Sequence, residues 1–515
     1  MKKGLILGWV LGIGLAFPGA SLRGNEGVHV GFARADISRH VKTKLPFRRP
    51  LEVRALALEQ PACKVLLLAC DLMEISPGYA RHLQVRVGKA LGIPEQQVLI
   101  HTTHTHSSAD KGSDAKNLPG LESALVRCGR EALAKGVPAQ VKLAEADVGQ
   151  RFSVNRRVDA GDDLGVQTFW YGFRYDPSSD RVDGAWLAQN MRERWLRREL
   201  PPATAPLWMD GPVDPHVQTL LFADLKGRVL GSIVRFCAHP HIASALRARE
   251  MDSDYPGRCR DRMEQLFGGC CVFLSGPLAN MVPKEHIPYV NEPEPEEMVQ
   301  LGPIASLHPV KDEAGLQEME RIGQGLAEAA QRALETAHWQ PLLRFDFAAQ
   351  RFPVVLDPAL VADGPARRAF RELLEREYRS VLRRAPSLEA IRPLANALNA
   401  LEWEPGHWEN TVSAQDLHAK CIAMPLAVLR LLDTALVFLH SEISPETGVA
   451  LRAAHPKTAI WTVNLTGGTL NYLPPDSFRD EGGYEGRNIL SQRGAEAQLR
   501  ADVASLLGRV GLLRQ

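Results

Sequence analysis

The sequence predicts an α/β fold of layered mixed β-sheets flanked by helices. Continuous apolar runs of strand length at 64–72 and 97–103 enclose a helical stretch at 77–91, the pattern of a β-α-β unit buried on both faces. Strands and helices go on alternating along the chain, with no repeats and no low-complexity tracts. Apolar strands repeatedly run out into short segments that carry a His, a Glu or a Tyr.

The elements follow in order. The run 64–72 ends on Asp71, the helix at 77–91 is stopped by Gly92 and Pro94, and the next strand delivers Val98-Leu-Ile-His-Thr-Thr-His-Thr-His-Ser-Ser108. A helix over 122–135 leads to a strand over 139–148 and a loop with Val154-Asn-Arg-Arg157. Strands 217–224 and 229–236 flank a Lys226-Gly227 turn, a hairpin pattern, and the second delivers Cys237-Ala-His-Pro240. A helix over 257–266 precedes the run 270–274 and the loop Ser275-Gly-Pro-Leu-Ala-Asn-Met-Val-Pro283. Strand 435–439 presents His440-Ser-Glu442, strand 458–464 presents Gly467, Gly468 and Tyr472, and the tail 492–513 reads as one closing helix. Polar or Pro/Glu-rich insertions are expected near 174–207, 285–312 and 361–401, the last helical over 365–401, within a single domain spanning 27–515.

Composition limits the function classes. With 515 residues, 45% hydrophobic and 23% charged, the chain can bury a large core. A net charge of +1 offers no basic face for nucleic acid. Met1-Lys-Lys3, an apolar stretch over 4–17 and Pro18-Gly-Ala20 have the three regions of a secretory signal, so residues 1–20 are read as a cleaved leader and the protein as secreted or periplasmic. Eight cysteines are compatible with disulfides in an oxidising compartment, but Cys63, Cys70, Cys237 and Cys271 lie in apolar runs and read as packing. No CxxC occurs, which disfavours a cysteine metal site.

In open α/β sheets ligands collect beyond the carboxyl ends of parallel strands, where Asp71 and the histidine cluster would lie. On extended chain, His104 and His106 point to the same side and can converge on one ion. Two imidazoles cannot fill a tetrahedral shell, so further ligands must come from distant segments.

At these residues the chain resembles the amino-terminal catalytic domain of the neutral/alkaline, non-lysosomal ceramidases. Val30-Gly-Phe-Ala-Arg-Ala-Asp-Ile-Ser38 is similar to the family's first strand and turn, and Thr103-His-Thr-His-Ser107 to its Thr-His-Thr-His-Ser-Gly signature, with Ser108 in place of the glycine. Asn155-Arg156, His239-Pro240, Ser253-Asp-Tyr-Pro-Gly257, Ser441-Glu442 and Tyr472 through Tyr484-Glu485 follow in the family's order. The resemblance implies zinc (Zn2+) held by His104, His239, Glu442 and Tyr472, and a zinc-activated water that cleaves an N-acyl (amide) bond. His106, Arg156 and Tyr484 are of the right type to move protons or bind the developing oxyanion. The implied partner is a small-molecule or lipid amide, with peripheral membrane contact, and the oligomeric state stays open.

Two departures qualify the implied substrate. Where the family carries a serine, Ala279-Asn-Met-Val-Pro283 places Val282, which excludes serine chemistry there and alters the pocket wall. The chain ends about 30 residues after Tyr484, so no counterpart of the family's immunoglobulin-like carboxyl-terminal domain is expected. Each site residue also has an ordinary structural role available: His239 hydrogen-bonded beside its proline, Glu442 capping a turn, Tyr472 packing. His101 reads as structural, and His241 faces either the pocket or the loop. Asp71, Asp36, Asp252 and Asp254 are candidates to orient ligand imidazoles, since metal-bound histidines need an acceptor on the other ring nitrogen. Two other activities remain open: a ceramidase-like ligand-binding protein without turnover, and a zinc esterase or deacetylase acting on a carbohydrate.

Overall fold

A computed structural model describes residues 27–108, 118–159, 166–168, 174–183, 208–286, 289–291, 307–309, 311–357 and 419–513, with short helical pieces at 372–373, 375–376 and 379–380. The leader expected at 1–20, most of the expected insertions and nearly all of the helix expected at 365–401 fall outside these residues.

In chain order the strands are β1 (His29–Asp36), β2 (Glu52–Gln60), β3 (Cys63–Cys70), β4 (Val98–Thr102), β5 (Val137–Asp147), β6 (Ser153–Asn155), β7 (His216–Asp224), β8 (Val229–Phe236), β9 (Cys270–Ser275), β10 (Met281–Pro283), β11 (Phe345–Val355), β12 (Cys421–Leu431), β13 (Thr434–Phe438) and β14 (Ala459–Val463). The helices are α1 (Pro77–Leu91), α2 (Leu121–Ala134), α3 (Asp254–Phe267), α4 (Asp312–Thr336), α5 (Pro445–Ala454) and α6 (Ala495–Arg509). The larger sheet runs β9-β8-β7-β5-β1-β2-β3-β4, with Gln340–Pro341 beside β5, and the smaller runs β11-β12-β13-β14.

The layers follow from where the strands bury their side chains. Along β3, Val65, Leu67 and Ala69 join Trp461, Leu436 and Phe345 in a core between the two sheets. The alternate residues Leu66, Leu68 and Cys70 pack under α1 and α2 with Leu83, Val87 and Leu125. This two-sided burial is why the run is apolar throughout rather than alternating. The other half of the large sheet is covered by α3 and α4 through Tyr255, Met263, Met319 and Leu326. The outer face of the small sheet is covered by α5 and α6 through Leu451, Leu499 and Val503. The result is helix, sheet, sheet, helix, the layered α/β class read from the sequence. No helix among the described residues is long and apolar enough to cross a membrane, and all eight cysteines are free thiols.

Three strand pairs are parallel: β3 with β4, β8 with β9 and β13 with β14. The chain leaving each pair enters one seam between the sheets. There Thr102 donates its N–H to the Leu465 carbonyl, Gly467 to Ile100, and Asn464 to Ser275.

Several boundaries differ from the sequence reading. β4 ends at Thr102, because His104 takes the left-handed region (φ 68°) and donates its backbone N–H to Leu72. The helix read from Gly257 starts at Asp254, and the closing helix is shorter, opening after Gly494 at φ 83°. β11, β12 and α4 were not read from the sequence.

β1 crosses beneath α2 at Gly31, where a Cβ would stand 2.0 Å from the Ala132 carbonyl oxygen. Gly31→Ala is therefore expected to force strand and helix apart and cost about 1–3 kcal/mol, read as a lower denaturant midpoint at unchanged slope.

Candidate metal centre at the sheet seam

The histidine cluster is assembled by turns rather than by strand alternation. After Thr103, whose N–H goes to Cys70, the left-handed turn at His104 swings the imidazole over the β3–α1 connection, and its Nδ1 meets the Met73 carbonyl at 2.7 Å. His106 follows, its N–H bound to the Pro240 carbonyl. His239 leaves β8 and sets its Nδ1 2.8 Å from the Met281 carbonyl of β10. A carbonyl only accepts, so both Nδ1 atoms carry hydrogen, and in the neutral ring each Nε2 is then the atom with the lone pair. These lone pairs face one region: His104 Nε2 is 3.4 Å from His106 Nε2 and 3.6 Å from Glu442 Oε2, and His239 Nε2 is 3.2 Å from the same Glu442 oxygen. Glu442 comes from the segment after β13, where Ser441 (φ 63°) turns the chain and Glu442 pairs through its backbone with Tyr472.

A second group stands against this one. Arg156, following β6, donates through Nε to Glu485 at 2.6 Å and through Nη2 to the Ala279 carbonyl at 2.6 Å and to the Tyr472 hydroxyl at 3.2 Å. Tyr484 packs edge-on against Tyr472, ring centroids 5.6 Å apart, with the Arg156 guanidinium 5.9 Å from its ring centroid. All seven site residues named from the sequence thus lie in one neighbourhood. His104, His239 and Glu442 meet at one point, His106 joins them from the mouth, and Tyr472, Arg156 and Tyr484 form the adjoining wall.

Electrostatics set the protonation states. Burial, reinforced by Arg156 and His104, pushes His239 well below the usual histidine range. His106 is pushed down as well, by desolvation and then by His104 and His239, although the residue as a whole is exposed. Burial and the Glu442 charge raise both tyrosines, so they stand as neutral phenols. Burial alone would raise Glu485, but Arg156 and Arg157 overcome it and hold the carboxylate ionised.

The acceptors that orient the imidazoles are not the aspartates nominated from the sequence. Asp71 receives both Arg260 Nη atoms at 2.7 Å, Asp36 caps Ser38, Asp252 pairs with Arg258, and Asp254 takes the Ala243 N–H. Backbone carbonyls do the orienting instead, which no side-chain motif signals. His101 is structural, with Nδ1 on the Asn464 carbonyl and Nε2 accepting from Ser275. His241 flanks the pocket, its ring centroid 6.2 Å from that of His106. Sequence reading missed Glu74, in the β3–α1 turn, whose carboxyl is pushed up to about 7 by burial and by Glu442. Its signal was a second acid three residues beyond Asp71, at the same strand end.

The donor set suits a divalent transition ion: neutral Nε2 atoms with their tautomers fixed, and one carboxylate. His104, His106 and His239 each offer a ring nitrogen within 4.8 Å of the others.

No protein-family model matches the chain, and no curated protein matches it in sequence. Among solved structures it resembles the neutral ceramidase of Pseudomonas aeruginosa, at 16% identity and a TM-score of 0.60, over 95% of this chain and 76% of that one. A ceramidase described as complexed with C2 matches at 15% identity and a TM-score of 0.59, over 95% and 77%. These likenesses establish a ceramidase-like fold.

The purified protein is expected to retain about one equivalent of a divalent ion, lost in His104→Ala and in His239→Ala by elemental analysis. Because His239 is pushed below the ordinary histidine value of about 6.5, protons compete weakly for it, and acid should release the ion only below that pH.

Proposed function

We propose that the protein is a zinc-dependent amidohydrolase that cleaves an N-acyl bond in a small-molecule or lipid amide. One observation carries this reading: fixed Nε2 lone pairs and a carboxylate, drawn from three separate strand ends, surround one point beside a buried guanidinium and two neutral phenols. Zinc held by His104, His239, Glu442 and Tyr472 would polarise the amide carbonyl and lower the pKa of water to about 7. His106, at the mouth with its Nε2 directed inward, takes a proton from the attacking water and returns it to the departing nitrogen. The water oxygen would bond to the carbonyl carbon to give a tetrahedral oxyanion, and its collapse would break the C–N bond as the nitrogen takes the proton, so that water is divided between carboxylate and amine. Tyr484, as a neutral phenol, donates a hydrogen bond to the developing oxyanion, and Arg156 places positive charge beside it. Glu485 keeps that guanidinium in position.

His106 also fits as a ligand in place of Tyr472. The assignment to proton transfer rests on its exposed position, and metal content decides: His106→Ala should keep the ion, whereas a ligand's loss would release it. Val282 is fully buried in β10, opposite Val154 of β6, a place for packing rather than for a nucleophile. If residues 1–20 are a leader, as their sequence pattern leads us to propose, the substrate would be one met outside the cytoplasm, in solution or at a membrane surface.

The test is a panel of N-acyl sphingoid bases, N-acyl amino acids, simple esters and acetylated sugars given to the zinc-loaded protein. Amide cleavage should lead, His104→Ala should abolish it, and His106→Ala should lower turnover by roughly 10²-fold or more with zinc retained. Val282→Ser should leave the rate unchanged, and serine-directed reagents should not label the protein. Normal zinc binding with no acyl substrate turned over would favour a ligand-binding protein instead, and faster cleavage of acetylated sugars would favour a deacetylase.

A further inference from the structure

One hydroxyl holds two of the peptides from which the histidine cluster hangs. The Leu72–Met73 peptide is bonded on both edges by the arc from His104 to Ser108: its carbonyl takes the His104 N–H at 2.9 Å, and its N–H donates to Ser108 Oγ at 2.9 Å. One residue on, the Met73 carbonyl receives His104 Nδ1 at 2.7 Å. That carbonyl also accepts from the Thr102 hydroxyl at 3.3 Å, so a rotation of the turn would trade one donor for the other. The same Ser108 hydroxyl donates to the Thr105 carbonyl at 3.1 Å. This carbonyl belongs to the Thr105–His106 peptide, whose N–H goes to Pro240 at 3.0 Å. Ser108 is buried, 1% exposed, and its oxygen serves once as acceptor and once as donor. The signature that the arc resembles carries glycine here, which could supply neither bond.

We propose that Ser108 is a positioning residue for the metal centre: by bridging the Met73 N–H and the Thr105 carbonyl, its hydroxyl fixes the direction of His104 Nε2 and the place of His106 beside it. The proposal rests on the metal-dependent amidohydrolase reading of the site. Without the hydroxyl, His104 keeps its acceptor, but that acceptor sits in a turn held on one edge instead of two. A partner that orients a metal-bound imidazole is worth about 10–100-fold in metal affinity or activity. His239 is oriented by the Met281 carbonyl of β10, a separate segment, so the effect falls on one side of the centre.

Titration of the metal-free protein with Co2+ tests this, because the visible absorption of the bound ion reports its ligand geometry and needs no substrate. Ser108→Ala should raise the Co2+ dissociation constant roughly 10-fold and alter the absorption bands. Ser108→Thr, which keeps the hydroxyl, should restore both. With a cleavable amide and saturating zinc, Ser108→Ala should lower kcat by a similar factor with KM little changed. An unchanged constant and spectrum in Ser108→Ala overturn the proposal. Equal defects in Ser108→Ala and Ser108→Thr also overturn it, since packing rather than the hydroxyl would then hold the arc. If Ser108→Ala does not fold, Ser108→Cys, whose thiol makes weaker versions of both bonds, takes its place: a weaker Co2+ complex sustains the role, and wild-type binding ends it. A wild-type protein that binds no Co2+ refutes the metal centre and the proposal together. Co2+ binding without cleavage of any amide refutes the amidohydrolase reading alone, and the Ser108 titrations still stand.

Discussion

The site depends on two hydrogen bonds from imidazole to main chain. Met73 and Met281 offer carbonyls to the Nδ1 atoms of His104 and His239, and those contacts fix which nitrogen of each ring carries the proton and where the other lone pair points. A carboxylate in either place could be protonated or exchange partners. A carbonyl in a fixed turn can do neither, so the donor geometry is built before any ion arrives. The Met73 carbonyl lies in the turn leaving β3 and the Met281 carbonyl at the start of β10, which pairs with β6, so the accuracy of the site is inherited from strand positions.

Register is secured in turn by buried ion pairs at the strand ends. Asp71, where β3 ends, is gripped by Arg260 of α3. Asp214, just before β7, is held ionised against burial by Arg235 of β8 and Arg452 of α5. Arg156 and Arg157 close on Glu485. Each pair ties segments distant in sequence, and removing one partner would strand a charge in a low-dielectric interior at a cost of about 3–5 kcal/mol. Such pairs add less net stability than an apolar contact of equal size, but they accept only one arrangement of the chains that carry them. That selectivity matters most at a seam where three parallel pairs must end together.

The chemistry available at this seam differs between its halves. The imidazoles and Glu442 supply electron pairs to a cation, while Arg156 and the two neutral phenols supply positive charge and hydrogen-bond donors. In the proposed reaction the amide would lie between them, while Val282, fully buried in β10, contributes packing.

By itself the sequence determined the layered α/β class, because two-sided burial leaves an apolar run in β3 and β4 that needs no partner to be recognised. It also determined that His104, His106, His239, Glu442, Tyr472, Arg156 and Tyr484 follow apolar strands or loops in the order of a known catalytic domain. Strands β11 and β12 were not legible although both of their faces are buried, since Pro353 and Pro425 interrupt their apolar runs. Only the tertiary structure decided how the site residues converge. The left-handed turn at His104 replaces the extended geometry that alternation implies, and the orienting acceptors are carbonyls rather than Asp71 or Asp252. These are contacts between segments separated by tens to hundreds of residues, fixed by which strand ends meet at the seam, and local sequence pattern carries no information about that distance.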